Sequence, residues 1–181
     1  MVREIRTIVH ETGPDISMEE IAVGLGTSKS VLYRYFGDKN GLQAALGNYT
    51  LARTRRQLAE AAASHNDAEL AMRSMLRTYL EIVARSRNVF LFVNRPSGRG
   101  PLQSFIDQVE EMVAGIFSMD AHDADPERLQ LWASASVGLV RAAAERWADT
   151  PPSSRLPIDQ LTDDLSTMLW RGTTTLFTSA H

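Results

Sequence analysis

The stretch ISMEEIAVGLGTSKSVLYRYFGDKNGL, residues 16–42, holds both lysines of a 181-residue chain, Lys29 and Lys39, with Tyr33, Arg34 and Tyr35 between them. It opens with Ser17 and Glu20, the S-x-x-E spacing of a capping box, and Ile16 can pack on Ile21 as a hydrophobic staple. Met18, Ile21, Ala22 and Leu25 then recur at helical spacing. Gly24 and Gly26 flank Leu25 and predict a tight turn. A second short helix is expected from about Ser28 to Phe36, with Val31, Leu32, Tyr35 and Phe36 on its inner face, ended by Gly37 and Asp38. Two short helices joined by a glycine-containing turn make a helix-turn-helix. In that unit the second helix enters the major groove and turns its N-terminal residues to base edges.

The residue types suit such a partner. Thr27, Ser28 and Ser30 are small, so the backbone can come close to DNA, and their hydroxyls can bind phosphate or bases. The start of the second helix adds partial positive charge and free N–H groups. Lys29 and Arg34 are long cationic donors, and Tyr33 and Tyr35 can pack a ring while the hydroxyl reaches a phosphate. Lys39 lies past the helix end, where the second backbone wall of the groove would run. A nucleotide-binding turn is the rival reading of GLGTSKS, but it needs a preceding strand, and a P-loop needs Gly where Ser28 stands.

Helical spacing continues outward in both directions, so the fold class is all-α. Val2, Ile5, Ile8 and Val9 mark a first helix that TGPD (12–15) ends. Longer helices are expected at about 40–63, 67–87, 102–118, 127–148 and 158–178. Their breaks fall at PSGRGP (96–101), DAHDADP (120–126) and DTPPSSRLP (149–157). NVFLFVNR (88–95) has the composition of a strand but no partner strand, which favours a short buried helix.

Composition narrows the classes further. Hydrophobic residues make up 44% and charged residues 23%, as in a folded globular chain. The absence of cysteine excludes disulfides and thiolate metal sites. With no long apolar run and no signal-peptide core, a cytoplasmic protein without a membrane anchor is expected. The net charge of −3 is uneven. Residues 1–60 carry eight Lys or Arg against seven Asp or Glu, and subtraction from 19 and 22 leaves eleven against fifteen for the rest. No cofactor, metal or catalytic set is expected. DAHDADPE (120–127) lacks the central glycine of a calcium loop and reads as a connector that caps the next helix. His10, His65, His122 and His181 lack zinc-site spacing.

Residues 16–42 resemble the DNA-binding signature of the TetR family of bacterial transcriptional repressors. There a small-residue turn precedes L-Y-x-x-F and then, three residues on, Lys; Leu32, Tyr33, Phe36 and Lys39 fall on those positions. The resemblance implies that Ser17, Ser28, Tyr33, Tyr35 and Lys39 grip phosphates, with Lys29, Ser30 and Arg34 nearest the bases. It implies a helix-turn-helix DNA-binding domain at 1–41 and a helical effector-binding and dimerisation domain at 42–181. Family members usually carry a basic arm before the first helix; here that helix begins almost at Met1, so either the arm that would make minor-groove contacts is absent or the true start lies upstream.

A regulator of this kind is expected to work as a homodimer, because one small reading helix contacts too few bases. In LWASASVGLVRAAAERW (131–147), small residues at Ala133, Ala135, Gly138 and Ala142 permit close helix approach. By the family's four-helix arrangement, Trp132, Gly138, Ala142, Leu165, Leu169 and Leu176 are the interface candidates. An effector pocket needs apolar walls with a few polar anchors. Tyr79, Phe90, Phe92, Phe105, Phe117 and Trp132 could supply walls, and Asn94, Arg95 and Arg141 could fix a polar end. The wall chemistry points to a small apolar or acyl-type effector. The function expected is a repressor released from a palindromic operator by that effector. A transcriptional activator of the same fold, a protein-binding adaptor and an enzyme on a helical scaffold are the alternatives.

Overall fold

The structure is a computed structural model that describes the backbone of residues 1–93, 101–121 and 123–178, with side chains for 1–92, 103–121 and 123–172. Among the described residues the chain forms helices only, in two compact units. Unit 1 gathers residues 1–53 with 85–104, and unit 2 gathers 54–84 with 105–181.

Unit 1 begins with α1 (Val2–Thr12), which Gly13 ends. The short helices α2 (Met18–Gly24) and α3 (Lys29–Phe36) follow. Then comes α4 (Lys39–Ala63), whose first part belongs to unit 1 and whose remainder belongs to unit 2. Unit 2 continues with α5 (Ala68–Arg85), and α6 (Arg87–Val93) returns to unit 1 from far along the chain. The apolar run at 88–93 is therefore helical, as its lack of a partner strand predicts; Asn94 and Arg95 lie outside the described residues. Ile5 and Val9 of α1, Ile21 of α2, Leu32 of α3, Leu42 and Leu46 of α4, and Val89 and Phe92 of α6 form one buried cluster. Fully burying side chains of this size is worth about 1.5–3 kcal/mol each, so α6 is a structural member of unit 1. Two side-chain amides secure it. Asn88 Nδ2 donates to the His10 carbonyl at 2.7 Å, and Gln43 Nε2 donates to the Phe92 carbonyl at 3.2 Å.

Besides α5 and the end of α4, unit 2 contains α7 (Pro101–Asp120), α8 (Pro126–Asp149) and α9 (Ile158–Thr178). Leu76, Leu80, Val113, Val140 and Leu161 stand for its core, each less than a tenth exposed. Asp125 caps α8 by accepting from Glu127 N at 3.1 Å, and Pro126 opens the helix. DAHDADPE is thus a capping connector where it is described; His122 lies outside the described residues. Arg155 closes the far end of α8. Its guanidinium donates to the Ala148 and Thr150 carbonyls at 2.9 and 2.7 Å and lies 4.7 Å over the Trp147 ring. Ion pairs of Arg73 with Asp163 and of Arg77 with Asp159 join α5 to α9.

Candidate nucleic-acid interface

The turn between α2 and α3 is built from backbone geometry. Ser17 caps α2 reciprocally: Glu20 N–H donates to Ser17 Oγ at 3.2 Å, and Ser17 N–H donates to Glu20 Oε2 at 2.8 Å. The Ser17 hydroxyl also donates to that carboxylate at 2.7 Å, and these bonds hold Glu20 below the usual carboxylate range. At the other end the Thr27 N–H donates to the Ala22 carbonyl across Gly26, whose φ of +64° suits glycine. The chain then enters α3 with Ser28 at the N-cap, its hydroxyl making no cap hydrogen bond.

α3 is held from beneath by Leu32, with Phe36 packed against the same buried cluster. Leu32 is 0% exposed, Val31 and Phe36 are partly buried, and Ser28, Lys29, Ser30, Tyr33, Arg34 and Tyr35 are exposed. Tyr35 corrects the expected inner face. It is 61% exposed, because successive helical residues turn about 100° and Leu32 with Phe36 already occupies the buried side. Its ring instead lies 5.6 Å from the Arg34 guanidinium, so the pair sits together on the surface.

The two lysines fare differently. Lys29 makes an ion pair with Glu19 of α2, which raises its pKa, and its ammonium lies 5.9 Å from the Tyr33 ring centroid. Lys39 is partly buried; its ammonium donates to the Ile16 carbonyl at 2.7 Å and lies 5.9 Å from the Phe92 ring centroid. Lys39 therefore joins the start of α4 to the entry of α2 and to α6. Sequence reasoning missed Glu19 and Phe92 as partners of the lysines. The two acids in the first turn of α2 were a usable signal for Glu19. Phe92 gave none beyond its apolar run, and it is 0% exposed within the unit 1 core.

Close packing under α3 depends on one glycine. A Cβ added to Gly41 would lie 1.9 Å from the Phe36 carbonyl oxygen, so only glycine lets α4 start this near the end of α3. Gly41 N–H also donates to Asp38 Oδ1 at 2.8 Å.

The other candidates divide between the units. Phe90 belongs to unit 1, whereas Tyr79, Phe105, Phe117, Trp132 and Arg141 belong to unit 2. Phe117 is 3% exposed; Tyr79, Phe105 and Trp132 are partly buried, and Arg141 is exposed. Burial pushes the Tyr79 hydroxyl up to about 12, with Glu145 adding to the effect and Arg141 opposing it. Among the interface candidates, Gly138 and Ala142 are exposed on α8. Leu165 and Leu169 are only 5% and 6% exposed in the single chain, so they belong to its own core and have little surface to offer a partner. The Leu176 side chain and Asn94 lie outside the described residues.

An all-helical chain with an exposed, cation-bearing second helix in a helix-turn-helix defines a DNA-binding regulator by class. The family models agree. The model described as bacterial regulatory proteins of the tetR family matches residues 5–46, and that of the tetracyclin repressor-like C-terminal domain matches 69–172. The chain belongs to the TetR family of transcriptional regulators. It is 30% identical over 168 residues to an HTH-type transcriptional regulator of Mycobacterium tuberculosis, covering 90% of this chain and 70% of that one. Two solved structures share the fold. FadR of Bacillus subtilis in complex with stearoyl-CoA superposes with a TM-score of 0.74 at 14% identity, covering 93% of this chain and 95% of that one. AibR in complex with isovaleryl coenzyme A and operator DNA gives 0.70 at 22% identity, covering 92% and 96%. No helix among the described residues is long and apolar enough to cross a membrane.

Proposed function

We propose that this regulator is a homodimeric repressor that an acyl-CoA-type effector releases from a palindromic operator. The observation that carries the DNA side of the reading is the exposed face of α3. Around the single buried Leu32 it presents Ser28, Lys29, Ser30, Tyr33 and Arg34 together. In this reading Lys29, Ser30 and Arg34 face base edges, while Ser17, Thr27, Ser28, Tyr33 and Tyr35 contact the backbone. Lys39 gives its remaining N–H donors to a phosphate from the position that the Ile16 carbonyl fixes.

Two observations support pairing and sensing. Leu131 and Met168 are 65% and 59% exposed on α8 and α9. Leu131 shares a helical stripe with the exposed Ala135, Gly138 and Ala142, a surface suited to close packing against a second copy. The acyl-CoA class is supported by the two fold relatives solved with stearoyl-CoA and isovaleryl coenzyme A and by the aromatic content of unit 2. α4 is one continuous helix shared by both units, so it is the covalent lever of the mechanism. The dimer sets its reading helices about 34–36 Å apart, and effector favours a state in which that spacing no longer fits. A coupling of about 1–3 kcal/mol weakens DNA binding about 5- to 150-fold. The test is a genomic DNA pull-down that recovers the bound site, followed by titration of the complex with short- and long-chain acyl-CoAs. Release by one chain-length class supports the reading; indifference to all of them refutes the effector.

A further inference from the structure

Glu19 has no part in the α2 cap, which uses Ser17 and Glu20. Its carboxylate instead reaches across the turn to the Lys29 ammonium, although the two side chains are 68% and 47% exposed. The pairing has a local cause. Lys29 is the first residue of α3, where the helix end is partially positive and disfavours a cation; Glu19 stands in the first turn of α2, where a carboxylate is favoured. The Tyr33 ring flanks the ammonium on another side. A long, rotatable side chain is thereby held in one direction. Exposed ion pairs contribute little to stability, so the consequence falls on binding.

We propose that Glu19 is the positioning residue that keeps Lys29 off phosphates and directs it to base edges. This rests on the reading that α3 enters the major groove. A free lysine at that rim would take the nearest phosphate, the sequence-independent interaction that dominates DNA affinity. With Glu19 attached, neutralising Lys29 by a phosphate would leave a carboxylate against the polyanion. A base acceptor such as guanine O6 or N7 can instead take the ammonium's remaining donors while the pair persists. Glu19 therefore lowers affinity for every duplex, and least for the right one.

The experiment begins with selection of a site from random duplexes by the wild-type protein. Affinities for that site and for mixed-sequence duplex are then measured across a salt series for wild type, Glu19→Gln, Glu19→Asp and Glu11→Gln. Glu11 is an exposed carboxylate on α1 and serves as the control for net charge. Glu19→Gln is expected to steepen the mixed-sequence salt slope by about 0.9 for each further phosphate neutralised, worth about eightfold in affinity at about 0.1 M salt. Its selected-site affinity rises less, so the ratio of the two falls. Glu19→Asp keeps the wild-type ratio, and adding Lys29→Ala to Glu19→Gln abolishes the steeper slope. If wild type selects a site but Glu19→Gln changes ratio and slope no more than Glu11→Gln does, the role of Glu19 is refuted and the reading of α3 stands. If wild type selects no site, the reading of α3 fails first and this inference falls with it.

Discussion

Lys29 and Lys39 each begin a helix of unit 1, yet their surroundings differ in kind. Lys29 stands on an exposed rim and is tied to another exposed side chain, Glu19. Lys39 is partly buried, bonded to the Ile16 carbonyl and set beside Phe92. A carbonyl is neutral and fixed by the backbone, so Lys39 acts as a strut. The pair with Glu19 stands in the open, so the remaining donors of the Lys29 ammonium stay available. Ten residues apart in sequence, identical side chains thus divide into a support and, in the proposed reading, a reader.

The largest way to break this comparison is to remove what both lysines stand on. Leu32→Ala takes away the one fully buried residue of α3 and should cost about 2–5 kcal/mol, measured by denaturant unfolding. Gly41→Ala drives a Cβ into the Phe36 carbonyl and should cost about 1–3 kcal/mol or more. A Gly41→Ala protein with a wild-type midpoint would show that α4 can shift freely at its start, against tight packing at this junction.

Lys39→Ala comes next. Loss of the bond to the Ile16 carbonyl should lower stability by about 1–2 kcal/mol. The same change should flatten the salt slope of DNA binding by about 0.9 for each phosphate that Lys39 no longer neutralises. Lys39→Met keeps an apolar stem but loses both the bond and the charge, so its difference from Lys39→Ala measures the packing of the stem alone. Lys29→Ala should leave the unfolding midpoint in place and alter sequence preference instead, as should Arg34→Ala. A second round of site selection reads both. If Lys29→Ala lowered stability as far as Lys39→Ala does, the division between strut and reader would be lost.

The smallest effect concerns pH. Glu20 is held below its ordinary value of 4.5 by the bonds from Ser17, so its stabilising contribution is present above that pH. It is lost as pH falls through the lowered value, when the carboxyl takes up a proton and no longer accepts. Glu20→Gln should flatten the acid limb of the melting curve slightly. Ser17→Ala should cost about 1 kcal/mol at neutral pH.

Much of unit 1 was legible because its signals are local. The capping box at Ser17 and Glu20, the turn at Gly26 and the stop at Gly37 each depend on residues within five positions of one another, and all stand where the sequence places them. Helix boundaries in unit 2 follow for the same reason: proline, Asp125 and the 149–157 connector punctuate a 3.6-residue period. Tyr35 was not legible, because periodicity leaves a residue at the edge of the buried stripe undetermined. A neighbour had to fill or vacate the space beside it.

The amino-acid order alone was sufficient for the helices, the turn that links α2 to α3, and membership in a DNA-binding family, since caps, glycine conformations and apolar spacing act over a few residues. Packing over longer separations settled the rest. Residue 92 reached the core formed by residues 5 to 46, Glu19 met Lys29 across a turn, and Leu165 and Leu169 faced inward. Burial and charge pairing depend on which surfaces meet in space, and a linear pattern states what a side chain can do without stating what it will be next to.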